Sequence, residues 1–192
     1  MGHPVLRSLT LTGVVALLVT ACESPGRVAG PSRLVASSSG AVADARPASH
    51  PIEMLDQCDP ATFNAAIGPG TCMSSHPGIK FDTFINQLIT TGNAPAWRNS
   101  PVNFTAALGT ELVAINRGGE VHTFTRVAAF GGGVVPELNA ILNLKPVPEC
   151  LNAPDEEFLL PGGRDVEPLK TPGTALYQCC IHPWMKTTIT VH

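Results

Sequence analysis

The stretch ALYQCCIHPWMKTTITVH, residues 175–192, decides the fold. Its two ends, ALYQCC and TTITVH, have the alternation and the β-forming residues of short strands. Between them Cys179, His182 and Met185 follow one another in the order C-x2-H-x2-M. Pro183 restricts the backbone of the connecting loop. A tight loop of this kind brings the three side chains to face one point.

Further short strands precede this stretch from residue 96 onward. They are predicted at VNFTA, ELVAIN and VHTFTRV, with Gly, Pro and Asn between them. Several short alternating strands separated by turn residues favour an all-β sandwich. The segment VPELNAILNL, residues 135–144, interrupts the pattern and predicts a short helix between strands.

The composition suits one domain of this class. The chain has 192 residues, of which 14% are charged and 5% aromatic, and its 18 Gly and 18 Pro imply many turns and few long helices. Without residues 1–21 the chain keeps 11 basic and 15 acidic residues, and it has no basic run. This balance argues against a nucleic-acid-binding protein.

The first residues predict export. Residues 1–21 contain one Arg and an apolar run that is too short to span a membrane, which is the pattern of a signal peptide. LVTAC resembles the bacterial lipobox, which implies that Cys22 receives a lipid and anchors the protein to a membrane. Glu23 follows it, which favours the outer membrane on the periplasmic side. Ordinary signal cleavage with an incidental Cys22 is the alternative.

Two segments are expected between the signal and the main domain. Residues 22–50 are rich in Ser, Ala, Gly and Pro and predict a flexible tether. Residues 51–95 predict an N-terminal extension with one short amphipathic helix that ends at Gly92. The apolar residues that recur at helical spacing there are Phe81, Phe84, Ile85 and Leu88. The main domain is expected over residues 96–192.

The residue types in the C-terminal loop indicate a copper site. A thiolate and a thioether are soft ligands, and a site with two His, one Cys and a weak Met is typical of blue-copper electron-transfer proteins. Structural zinc would favour more Cys or His. The second histidine has to come from elsewhere, and His122, which follows a Gly-Gly turn between two strands, is better placed than His50, His76 or His192. Taken alone, His122 and Met185 could also be core residues.

Here residues 96–192 resemble the cupredoxins, in particular their amicyanin-like members, whose ligand loop also reads C-x2-H-P-x-M. The resemblance implies a Greek-key β-sandwich that binds one type 1 copper ion. Its ligands would be His122, Cys179 and His182, with Met185 in the axial position. It also implies that the backbone at Thr123 donates a hydrogen bond to the thiolate.

The resemblance further implies a one-electron carrier rather than an enzyme. Pro183 and Trp184 would lie in an apolar patch where a redox protein docks. A copper-trafficking or storage protein, or a binding module without a redox role, is the alternative, because one sandwich hosts many functions. Residues 51–95 and the insertion at residues 131–158 have no counterpart in minimal cupredoxins.

The six cysteines then divide by role. If Cys22 is lipidated and Cys179 is a ligand, four remain, and export favours disulfides among them. Of the three possible pairings we prefer Cys58 with Cys72 and Cys150 with Cys180. Strand alternation puts Cys179 and Cys180 on opposite faces, so only one of them can be the ligand. A Cys179–Cys180 disulfide, ligation by Cys180 and a binuclear site are the less favoured alternatives.

Overall fold

The computed structural model describes residues 47–192, which form eight strands and four α-helices. In chain order these are β1 (Ser49–Leu55), α1 (Pro60–Ala66), α2 (Phe81–Thr91), β2 (Arg98–Ser100), β3 (Asn103–Ala106), β4 (Glu111–Asn116), β5 (Thr125–Val127), α3 (Pro136–Leu142), α4 (Pro148–Leu151), β6 (Arg164–Pro168), β7 (Gly173–Gln178) and β8 (Lys186–Val191). None of these helices has the length and the apolar character that crossing a membrane requires. The predicted signal peptide, Cys22 and most of the predicted tether lie outside the described residues.

The strands form two four-stranded sheets, with the orders β2-β1-β4-β6 and β3-β8-β7-β5. The β1–β4 and β3–β8 pairs are parallel, and the other neighbours are antiparallel. Buried side chains of both sheets form one core, with Ile52 and Leu112 from the first sheet and Tyr177 and Ile189 from the second. The predicted all-β sandwich with a minor helical part is therefore confirmed.

The strands that the sequence predicts are present with shifted ends. The largest shift is at VHTFTRV, because β5 includes only Thr125–Val127. His122 pairs instead through a single bridge with Leu159. The reason is that residues 121–124 lie beside the loop at residues 179–185, where Thr123 contacts cysteines rather than a neighbouring strand.

The predicted boundaries between the tether, the N-terminal extension and the main domain, at residues 50 and 95, need correction. Ser49 and His50 belong to β1, which lies inside the first sheet between β2 and β4, so the sandwich begins before residue 51. Ile52 and Met54 are fully buried in the core, which explains why this segment forms a strand. Pro51 obscured the pattern in the sequence, because proline argues against a central strand.

The N-terminal segment contains two helices, whereas the sequence predicted one. The predicted helix is α2, which buries Phe84 and Leu88 and ends where Gly92 adopts a φ of 67°. The second helix, α1, begins after Asp59, whose side chain accepts a hydrogen bond from the Thr62 N–H at 2.9 Å. A disulfide joins Cys58, before α1, to Cys72, after it.

The insertion at residues 131–158 covers the outer face of β7. The predicted helix is observed as α3, and α4 follows it. Cys150 of α4 forms a disulfide with Cys180, and the side-chain amide of Gln178 bonds to the backbone of Gly131. Because this cover is present, Gln178 and Cys180 are as fully buried as Tyr177 and Cys179 on the core face.

Candidate metal centre

The loop after β7 folds back on itself at Cys179. The Cys179 N–H donates to the Met185 carbonyl at 3.0 Å, and the Met185 N–H donates to the His182 carbonyl at 2.9 Å. The Cys179 sulphur accepts two backbone hydrogen bonds, from the N–H groups of Thr123 and His182, each at 3.4 Å. The hydrogen bond from Thr123 is the predicted one. Backbone donors of this kind stabilise a thiolate.

His122 lies in the segment before β5, and its ring faces the sulphur of Cys179. Its backbone exchanges hydrogen bonds with the backbone of Leu159, at 3.1 and 2.8 Å, which hold this part of the chain beside the loop. The Nδ1 atoms of His122 and His182 each lie 3.8 Å from the Cys179 sulphur, and they lie 3.2 Å from one another. All three side chains are buried. The structure thus brings these three predicted site residues together.

Met185 lies in the same loop and is 1% exposed. It packs in the main core cluster together with Cys179. Its backbone closes the loop, as described above, and its position after His182 and Pro183 is the predicted one. Its role as an axial ligand stays a prediction.

A carboxylate faces the outer nitrogen of each histidine. Asp56 Oδ2 lies 2.8 Å from His122 Nε2, and both side chains are almost completely buried. Glu120 Oε2 lies 3.5 Å from His182 Nε2 and also accepts the indole N–H of Trp97. The centre therefore consists of a sulphur, two imidazoles and two carboxylates in one buried region.

These contacts shift the acid strengths of the buried groups. Burial raises the pKa of Cys179, but hydrogen bonds with His122 and His182 outweigh burial and hold that pKa well below its ordinary value. Burial lowers the pKa of His122, but the hydrogen bond with Asp56 and the nearby sulphur outweigh it and raise the pKa. Burial raises the pKa of Glu120. The thiolate, which is the form of cysteine that binds metals, is thus favoured at Cys179.

Sequence reasoning missed Asp56, Glu120 and Trp97. No local signal marks Asp56, which is 66 residues from His122 along the chain. Glu120 carried a weak signal, because it stands two residues before His122 in GGEVH. The preceding Gly118 belongs to the same arrangement, since a side chain there would collide with the carboxylate of Asp56.

The disulfides decide among the alternatives for the cysteines. Cys58–Cys72 and Cys150–Cys180 are the preferred pairs, and Cys179 is the free cysteine among the described residues. A Cys179–Cys180 disulfide, ligation by Cys180 and a binuclear site are therefore absent from this part of the chain. Asp56, Cys58 and Glu120 also lie close together, but the sulphur of Cys58 is already bonded to Cys72.

The predicted docking patch is largely covered. Pro183 is buried, and Trp184 is only partly exposed, because its ring packs on Phe84 of α2 at a centroid distance of 5.8 Å. His182 is 3% exposed. The role of Pro183 and Trp184 in docking a partner stays a prediction. No pattern in the sequence indicates that α2 packs on this loop.

A cavity of about 490 Å³ lies next to the centre. Most of its lining is apolar and comes from α1, α2 and α3, and Glu120 and His182 form a polar part of its wall. The cavity therefore lies directly against His182, which is itself 3% exposed.

The donor atoms present fit a copper ion. Two imidazole nitrogens and one thiolate, with a methionine in the same loop, are the ligand types of blue-copper sites, whereas structural zinc sites are four-coordinate and use Cys and His. The spacing of the three donors, all within 4.8 Å of one another, leaves them able to bind one ion.

Comparisons with known proteins give only remote matches. No family model matches the chain, and no curated protein matches it. A purple cupredoxin from Nitrosopumilus maritimus is 22% identical over 55% of this chain and 90% of its own, with a TM-score of 0.38. A mutant of amicyanin, in the Cu(I) form, is 17% identical over 50% of this chain and 73% of its own, with a TM-score of 0.34. Oxidised plastocyanin from Dryopteris crassirhizoma is 16% identical over 74% of this chain and 100% of its own, with a TM-score of 0.38.

Because these identities and TM-scores are low, the description of the fold and of the site rests on the strands and donor atoms of this chain itself. Two four-stranded sheets pack face to face, and the loop between the last two strands lies beside a histidine of an earlier strand connection. The fold of residues 47–192 is a β-sandwich of two four-stranded sheets.

Proposed function

We propose that this protein is an exported, lipid-anchored type 1 copper protein that carries one electron at a time. Copper bound at this centre would supply a one-electron Cu(II)/Cu(I) couple. His122 Nδ1, His182 Nδ1 and Cys179 Sγ would hold the ion, with Met185 as a further, weaker ligand. The lipid at Cys22 would keep the protein at a membrane on the extracytoplasmic side, where a redox protein would be its partner.

The observation that carries this proposal is the arrangement around Cys179. The sulphur faces two imidazole Nδ1 atoms at 3.8 Å and accepts two backbone N–H groups in a buried position. Donors held in this way before the metal arrives need little rearrangement when the charge on the metal changes, which suits electron transfer. The protein's part in the reaction is to hold the donors and to exclude water.

Burial also separates electron transfer from copper trafficking. Handing copper to another protein requires that the incoming ligands reach the metal. His122 and Cys179 are completely buried and His182 is 3% exposed, so this centre favours retention of the metal. We therefore prefer electron transfer to copper trafficking as the proposed function.

The test is the visible spectrum of the full exported chain, purified in detergent and loaded with one equivalent of Cu(II). We expect an intense thiolate-to-copper band that ascorbate bleaches and ferricyanide restores. The Cys179→Ser variant should lack the band. The matched control is the double variant Cys150→Ser and Cys180→Ser, which removes the neighbouring disulfide and should keep the band.

Three results would contradict the proposal. A folded wild-type chain that binds Cu(II) without this band would show that Cys179 is not a ligand. Equal loss of the band in the Cys179 variant and in a folded control would contradict a specific role of Cys179. Rapid loss of copper to a weak chelator would favour trafficking.

The lipid anchor is tested separately. The Cys22→Ser variant should move from the membrane fraction to the soluble fraction.

A further inference from the structure

We propose that Asp56 is a positioning residue of the metal centre, which sets the orientation of His122. The N-terminal segment, defined here as residues 49–95, would then complete the centre rather than only cover it. This inference rests on the proposed function, because it concerns the same site. Nothing in the sequence assigned a role to Asp56.

The contact between Asp56 and His122 decides which nitrogen can bind a metal. Asp56 Oδ2 lies 2.8 Å from His122 Nε2. An ionised carboxylate only accepts hydrogen bonds, so Nε2 has to carry the proton, and Nδ1 is the nitrogen left with a free lone pair once the ring is neutral. His122 Nδ1 is the atom that faces Cys179 Sγ. The hydrogen bond thus selects the tautomer and the ring orientation that the centre needs.

Asp56 is itself held on several sides. Its Oδ1 accepts the N–H of Cys58 at 3.1 Å, and its Oδ2 accepts the N–H of Glu120 at 3.0 Å. The Cys58–Cys72 disulfide follows directly in the chain. Gly118 has no side chain that would displace the carboxylate. A group fixed by this many contacts can hold a histidine ring to within the tolerance that a metal site requires.

Glu120 gives an internal comparison. Its Oε2 lies 3.5 Å from His182 Nε2, which is longer than a hydrogen bond, and it already accepts the N–H of Trp97. His182 is also fixed by its own backbone, since its N–H donates to Cys179 Sγ. Within residues 47–192, His122 has no backbone contact of that kind with the sulphur. We therefore expect the centre to depend more on Asp56 than on Glu120.

The negative charge of Asp56 has a second effect. A carboxylate at Nε2 makes the imidazole a stronger donor, and a stronger donor favours Cu(II) over Cu(I). Removing the charge should therefore raise the midpoint potential, even where a hydrogen bond to Nε2 is kept. Asp56→Asn separates the two effects, because its amide oxygen can still accept the His122 proton while the charge is lost.

The experiment uses the full exported chain in detergent, labelled with 15N at histidine and loaded with Cu(I), which is diamagnetic. In the wild-type protein we expect the Nε2–H proton of His122 to exchange slowly with solvent. Asp56→Ala should lose this protected proton and bind copper roughly 10- to 100-fold more weakly, as other outer partners of ligand histidines do. Asp56→Asn should keep the proton and raise the midpoint potential.

Glu53→Ala is the matched control. Glu53 also lies on β1, but its carboxylate is 47% exposed and contacts Arg117 rather than a histidine. This variant removes the same charge from the same part of the chain, so both the protected proton and the potential should stay close to those of the wild type.

The outcomes separate the two proposals. A wild-type chain that fails to bind Cu(I) would overturn the proposed function and this inference together. A folded Asp56→Ala protein with wild-type affinity and a protected His122 proton would overturn the inference alone. If Asp56→Ala does not fold, the wild-type spectrum decides the matter, because a His122 Nε2–H proton that exchanges rapidly with solvent would contradict a hydrogen bond from this nitrogen to Asp56.

Discussion

At the scale of single residues, two tryptophans differ in what their indole N–H groups contact. Trp97 and Trp184 both pack on Phe84, at centroid distances of 4.5 and 5.8 Å. The Trp97 N–H donates to the buried carboxylate of Glu120. The Trp184 N–H is buried without a hydrogen-bond partner in the part of the chain that the structure describes. The same substitution should therefore have different costs at the two positions.

We expect Trp97→Phe to lower the free energy of unfolding by about 1–3 kcal/mol, since it leaves a buried acceptor of Glu120 without its donor. Trp184→Phe should cost clearly less, because it removes a buried donor that has no partner among residues 47–192. Chemical denaturation of the metal-free protein measures both. Equal losses would show that ring packing rather than the hydrogen bond decides the stability.

A residue-scale prediction also concerns Gly118. A methyl group at this position would collide with the Asp56 carboxylate, so Gly118→Ala should destabilise the fold and weaken copper binding together. Calorimetry of metal-free and copper-loaded protein checks this. The expectation fails if the variant is destabilised while its copper affinity stays at the wild-type value, since Asp56 would then not have moved.

At the scale of elements, α1 is short and depends on its ends. Asp59 caps its first turn, and Pro60 starts it. The Cys58–Cys72 disulfide encloses it, with a separation of 14 residues. A seven-residue helix is too short to be stable alone in water, so these end contacts and the burial of Phe63 hold it in place.

The cap predicts a pH dependence. Hydrogen bonds from the Thr62 hydroxyl and N–H lower the pKa of Asp59 below its ordinary value of 3.8. Since the pKa is lower in the folded state, the stabilisation is fully present above pH 3.8 and is lost as the pH falls through the folded-state pKa. The melting temperature of the wild type should therefore exceed that of Asp59→Ala at pH 7, and the difference should shrink below about pH 4.

A matched variant tests the cause of this dependence. Asp59→Asn keeps an oxygen that can cap the helix but does not titrate, so its melting temperature relative to Asp59→Ala should stay constant as the pH is lowered. A wild-type advantage that also stays constant from about pH 7 to about pH 2 would contradict the role of ionised Asp59.

The disulfide around α1 gives another prediction at this scale. Replacing Cys58 and Cys72 by Ser should lower the free energy of unfolding by about 3 kcal/mol, which is the stabilisation expected from a disulfide that closes a loop of this length. Because Asp56 lies two residues before Cys58, we expect the same variant to broaden the signals of His122 in NMR spectra. Unchanged His122 signals would show that Asp56 is fixed without the disulfide.

At the scale of the whole molecule, copper and the fold should stabilise each other. The donors come from the loop between β7 and β8 and from the turn before β5, and they meet only in the folded chain. A ligand that binds only the native state raises the free energy of unfolding by about 4 kcal/mol when its free concentration is about 1,000 times its dissociation constant. Copper should thus raise the melting temperature of the wild type but not that of Cys179→Ser. An equal rise in both would indicate binding elsewhere.

The parts of the molecule that could be predicted from the sequence are local ones. The C-x2-H-x2-M loop, the flanking strands and the helix ending at Gly92 depend on residues close together in the chain. His122 could be found because it stands at a strand connection marked by glycines. These signals were enough to bring His122, Cys179 and His182 into one predicted site.

The parts that were missed depend on distant pairings. β1 joins the first sheet by a parallel pairing with β4, about 60 residues away, and no local pattern encodes such a register. The contact of Asp56 with His122 is a consequence of that pairing, so it could not be predicted either. The cover that α2 places over Trp184 was missed for the same reason.

The direction of β1 and β8 sets which end of the domain carries the metal centre. β1 runs from Ser49 toward Asp56, and β8 runs away from Met185, each over roughly 20 Å at about 3.3 Å per residue. At the far end, the Ala48 carbonyl bonds to Glu111, and the His192 carbonyl bonds to Leu108. Both ends of residues 47–192 thus lie opposite the candidate metal centre. A protein attached to a surface through either end of residues 47–192 would therefore turn the end that carries the candidate metal centre toward the solution.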